Sequence, residues 1–63
     1  MTLRNYEGKL GRQITIEEDA KSIITILDDG RIQAMDGFPV HREFFRIAIL
    51  ISESFEFYWG RDA

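Results

Sequence analysis

Cysteine is absent from this 63-residue sequence, proline and histidine occur once each, and no apolar run is long. Without cysteine no disulfide framework can staple a small fold, and the lone His41 cannot by itself make a Cys/His zinc site. The same absence fits a cytoplasmic compartment. The longest apolar run, Ile47 to Ile51, is far shorter than the about 20 residues needed to cross a bilayer. The N-terminus lacks the apolar core of a secretory signal, so the expectation is a soluble protein with no membrane association.

Positive charge is also scarce. Eight Lys and Arg face eleven Asp and Glu, for a net charge of −3. Residues 1–16 carry Arg4, Lys9 and Arg12 against Glu7, whereas residues 17–36 carry six acidic residues against Lys21 and Arg31. This balance argues against general nucleic-acid binding, which leans on a basic surface. A local basic edge of Arg4, Lys9, Arg12 and Arg42 stays open as a nucleic-acid contact.

Apolar residues are plentiful: 44% of the chain is hydrophobic and 13% aromatic, too rich for disorder. One domain of 63 residues lies near the lower limit for an unassisted core. Self-association is then the natural way to bury more surface.

Six of the eight aromatic residues lie between Pro39 and Gly60. On a helix at about 100° per residue, Phe44, Phe45, Ile47, Ala48, Ile51, Phe55, Tyr58 and Trp59 share one broad sector. Arg42, Glu43, Arg46, Glu53 and Glu56 share the opposite one. Pro39 suits a first turn and Gly60 a left-handed C-cap, which predicts a helix over about 40–59. An extended reading competes, because Phe45, Ile47, Ile49 and Ile51 also alternate with their neighbours. That strand, however, would place Ala48 and Leu50 on its polar face. Three large residues, Ile49, Leu50 and Phe57, fall on the charged side of the helix. Either a loop covers them or they form a surface for self-association or a protein partner. Trp59 joins them as an interface candidate by residue type, closing the core being its alternative role.

Upstream, the pattern predicts a β-meander over about residues 2–36. Thr2 to Tyr6 reads as a polar first strand, Gly8 to Gly11 as a turn, and Gln13 to Glu17 as a strand with Ile14 and Ile16 on one face. Ser22 to Leu27 is apolar on both faces, which predicts a central strand. Asp29-Gly30 is a type I′ hairpin signal, setting Asp28 opposite Arg31 and Leu27 opposite Ile32. Arg31 to Met35 is the return strand, and Asp36-Gly37-Phe38-Pro39 breaks the pattern. A helix over residues 16–28 competes with this hairpin, with Thr15 and Glu18 as a capping box and Ile16, Ala20, Ile23, Ile24 and Leu27 at helical spacing. The fold class expected is α+β: an antiparallel sheet of three or four strands followed by one C-terminal amphipathic helix.

Chemistry is hard to find in this sequence. His41 is the obvious acid–base suspect, but Ser52 and Ser54 lie about three helical turns away, and it reads as a partly exposed residue at the helix start. Glu17, Glu18 and Asp19 are consecutive and diverge in a strand or turn, while Asp28 and Asp29 suit a tight turn for backbone reasons. The stretch from Asp28 to Asp36 does not fit a calcium loop, and no Lys-Ser/Thr follows Gly8 and Gly11 as a phosphate loop requires. Nothing implies a cofactor, a metal or an enzyme.

Val40-His41-Arg42-Glu43 after β-hairpins and before a helix resembles the end of the carbon-storage-regulator family of small dimeric RNA-binding proteins. Lys9-Leu10-Gly11 is similar to that family's opening. The resemblance implies RNA contact by Arg42. Departures are the short segment between Gly30 and Val40, the acidic charge and the aromatic last third. The residues themselves favour a non-enzymatic protein-binding module, self-associating as a homodimer, of the inhibitor or adaptor kind found in phages and mobile elements. A small dimeric RNA-binding regulator is the alternative.

Overall fold

Alternating isoleucines build the sheet. The computed structural model describes residues 1–34 and 42–61. Strands β1 (Thr2–Gly8), β2 (Gly11–Glu18), β3 (Lys21–Leu27) and β4 (Ile32–Ala34) form one antiparallel meander in the order β1-β2-β3-β4. Two helices follow, α1 (Arg42–Glu53) and α2 (Phe55–Tyr58). Residues 16–28 are thus a hairpin and not a helix. The β-branched run Ile23-Ile24-Thr25-Ile26 crowds a helical turn but fits a pleated strand, and β3 occupies the interior position expected of it.

The turns have distinct causes. Gly11 closes the β1–β2 hairpin at φ +86°, where an added Cβ would sit 3.2 Å from Asp28 Oδ2. Asp19 and Ala20, both at positive φ, join β2 to β3 in the manner of a type I′ turn. The third turn corrects the expected register. Ile26, not Leu27, stands opposite Ile32. The loop has three residues, Asp28 to Gly30: the Gly30 N–H donates to Leu27 O at 3.0 Å and the Leu27 N–H to Arg31 O at 2.8 Å. Only Gly30 has positive φ, at +94°, as in a type I turn followed by a left-handed residue. Asp29 selects this loop by accepting the Arg31 N–H at 3.0 Å and Arg31 Nε at 2.7 Å. A one-residue slip reverses the faces of a strand. Here it turns Ile32 onto the same side as Ile24 and Ile26.

That side carries the core. Ile16 pairs with Ile24 but Glu17 pairs with Ser22, so Ile23 is the extra residue of a β-bulge, and both Ile23 and Ile24 are buried in the core. Leu3, Ile14, Ile16, Ile23, Ile24 and Ile26 pack against Ala48, Ile51 and Phe55. Ile32, Phe44, Ile47, Tyr58 and Trp59 are half-buried around them. The opposite sheet face carries the buried Leu27 and Thr15 and is otherwise polar, with Thr15 Oγ1 3.5 Å from Thr25 Oγ1, Tyr6 Oη donating to Glu17 Oε2 at 3.0 Å, and Arg4 Nε 3.5 Å from Glu17.

The single helix expected over 40–59 is two. Ser52 Oγ donates back to Ile49 O at 2.8 Å, and the Ser54 N–H is shared between Leu50 O and Ile51 O. Ser54 leaves helical geometry at φ −133°, ψ 46°. Serine competes for backbone bonds in this way, which makes it a natural place to end a helix. Arg42–Glu53 lies over β3 and β4, while Phe55–Tyr58 is tied to β2 through Arg12 and Glu56. Gly60, at φ +88°, ends α2 as expected, and its N–H donates to Asn5 Oδ1 at 3.1 Å. Met35, the breaker Asp36-Gly37-Phe38-Pro39, Val40 and His41 lie outside the described residues. Among the described residues no helix is long and apolar enough to cross a membrane.

Candidate interaction surface

With α1 docked through Ala48 and Ile51, the rest of its circumference is decided by geometry. At about 100° per residue, residues pointing away from Ala48 and Ile51 face solvent. Leu50 is 56% exposed and Ile49 38%, and beyond the Ser54 break Phe57 is 59% exposed. Phe45, placed by the sequence pattern in the buried sector, is instead 45% exposed. The reason is that the sheet meets α1 along Phe44, Ile47, Ala48 and Ile51, which leaves Phe45 past the edge of the contact, one turn before Ile49. The outer face also carries Arg42, Glu43, Arg46 and Glu53. None of these four makes an ion pair among the described residues, so the weak Glu43–Arg46 pair that i,i+3 spacing allows is not formed.

Phe57 is exposed but not loose. Its ring meets Tyr58 edge-on with centroids 5.1 Å apart, and the Arg61 guanidinium lies 4.4 Å from its centroid while Arg61 Nε donates to Phe57 O at 2.7 Å. Trp59 is placed differently from the other three interface candidates. It is half-buried, stacked on Phe55 with centroids 5.8 Å apart, and belongs to the core rim.

The basic candidates are dispersed. Arg12 points to the helical layer, its guanidinium 5.2 Å from the Phe55 ring and 5.4 Å from the Trp59 ring. Glu56 holds it through two hydrogen bonds, one of 2.8 Å from Nη1 and one from Nη2, and Asp28 lies 3.7 Å from its Nε. This mutual bonding, first of all causes, raises the Arg12 pKa and lowers that of Glu56. Asp29 is likewise held low, chiefly by the Arg31 backbone N–H. Arg4 is on the other sheet face beside Glu17, Lys9 is exposed in the β1–β2 turn, and Arg42 opens α1. These four do not converge on one edge. The Arg12 clasp, formed between residues 44 positions apart, was not legible in the sequence, since nothing local marks Glu56 as its partner.

Among the described residues no group of three potential His, Cys, Asp or Glu ligands is gathered to hold a metal. Comparison with protein-family models, with curated proteins and with solved structures gives no match to this chain.

Proposed function

We propose that this chain is a non-enzymatic protein-binding module, and that it binds through the outer face of its helical layer and associates with itself there. The observation that carries the reading is the exposure of Phe45, Ile49, Leu50 and Phe57 on a chain whose core is already closed by fully buried isoleucines. Scattered apolar residues are ordinary on a surface, but several large ones on one layer mark a contact area. A small cysteine-free domain also gains most from burying such an area against a partner.

Light scattering over a dilution series measures the association. The expected result is a dimer at high concentration, and a monomer when Leu50 is replaced by glutamate. Because Leu50 is exposed, the Leu50→Glu chain keeps its circular dichroism and its cooperative melt. If Leu50→Glu unfolds instead, Leu50 is a core residue and the surface reading fails. A wild-type chain that stays monomeric throughout withdraws self-association and leaves the face to a different protein.

A further inference from the structure

The outer face of α1 has a charge order that only partly suits the helix itself. A helix favours acidic residues in its first turn and basic ones in its last. In α1, Glu43 stands in the first turn as this rule favours, but Arg42 and Arg46 flank it in the N-terminal half, Glu53 occupies the last turn, and no basic residue stands in that last turn to offset it. These side chains do not find partners elsewhere in the described structure. Arg46 and Glu53 are seven residues apart, which places them about 10.5 Å apart along the axis and within about 20° of each other around it. Their midpoint falls between Ile49 and Leu50, the two apolar residues exposed in the middle of the helix.

With Arg46 toward one end, Glu53 toward the other and an apolar centre, this face is complementary to itself when reversed. We infer that the occupant of this face is a second copy of the chain, with its α1 antiparallel to the first and a two-fold axis passing between Ile49 and Leu50. This rests on the self-association proposed above and specifies its arrangement. In a two-fold interface each contact occurs twice with the roles exchanged. The axis brings Ile49 and Leu50 against their own counterparts and sets Arg46 against Glu53 of the second copy, twice. Phe45, one turn before Ile49, closes the flank. A parallel pairing would instead stack Arg46 on Arg46 and Glu53 on Glu53, so the charges select the antiparallel arrangement as charges select register in coiled coils.

Charge reversal tests this, read as the dissociation constant by sedimentation or light scattering. Arg46→Glu and Glu53→Arg, each alone, are expected to weaken self-association by roughly ten-fold or more, since each creates two like-charge pairs. Combining both in one chain restores the dimer. Mixing the two single variants also restores it, as a heterodimer, because every facing pair is then opposite in charge. Both sites are exposed, so circular dichroism remains that of the wild type. If the wild type dimerises and Leu50→Glu disrupts it, but the single reversals do not weaken it or the mixture does not rescue it, the antiparallel arrangement is wrong and self-association stands. If the wild type is monomeric, the self-association reading fails and takes this arrangement with it.

Discussion

Ala20 sits at φ +62°, a conformation that residues with a Cβ reach only at a cost. Its neighbour Asp19, at φ +53°, is of a type that tolerates it better. Both values are imposed by the two-residue connection between β2 and β3, whose twist only a primed turn matches. Ala20→Gly should therefore stabilise the fold by roughly 0.5–1 kcal/mol, read as a higher urea midpoint with unchanged slope. A lower midpoint would mean that the turn is not strained. Arg12 shows the converse lesson about single residues. Its charge and position suggested a nucleic-acid contact, yet its guanidinium is occupied by Glu56 and by the Phe55 and Trp59 rings. A basic residue's availability depends on what folds over it, and that is invisible at the level of residue type.

At the scale of elements, α1 is held by its inner face. Ile51 is buried to 1% exposure against the isoleucines of β2 and β3. Ile51→Ala should cost roughly 2–5 kcal/mol by lost transfer energy and the cavity left behind. A domain of this length holds only about 3–9 kcal/mol in total, so the variant should be largely unfolded by moderate urea. Ile49→Ala, two residues away but on the outer face, should fall within about 0.5 kcal/mol of wild type when measured as a dilute monomer. Equal losses at both positions would contradict the docking described. The helical wheel found Ile49, Leu50 and Phe57 outside because each lies far from the apolar centre of the pattern. It missed Phe45, since the edge of burial depends on where the sheet ends and not on the helix alone.

For the whole molecule, the radius of gyration is 10.6 Å. A compact chain of this length is expected at about the same value, roughly 10.6 Å. The exposed apolar residues are therefore surplus to a closed domain and not the sign of an open one. Two charged pairs brace the fold: Arg12 and Glu56 tie β2 to α2, and Asp29 braces the β3–β4 turn against Arg31. Both carboxyl groups have lowered pKa values in the fold. The unfolded chain consequently takes up more protons as pH falls through the ordinary carboxyl range of about 3.9–4.3. The stability these groups contribute is complete above that range and is lost as pH drops through their folded values. Thermal melts should thus be insensitive to these groups between about pH 6 and 7, and Tm should fall below about pH 4. Glu56→Gln should flatten that acid slope; an unchanged slope would show that the clasp does not contribute.

Several features of this protein belong to the sequence alone. The alternation of Ile14 with Ile16, the doubly apolar Ser22 to Leu27 segment and the 3.6-residue period after Arg42 are local patterns, and local patterns choose strand or helix. Gly60 as a helix cap follows the same rule, because left-handed backbone is a matter of one residue. The folded structure decided the rest. Asp29 bonding to Arg31 made the β3–β4 loop three residues long and shifted the register by one. Ser54 divided the helix where Phe55 and Trp59 turn to meet Arg12. Each of these outcomes was a choice between local alternatives of similar energy: the loop was settled by side-chain bonds between residues only two apart, which residue type alone does not rank, and the helix break lies where a partner 44 positions away is in place.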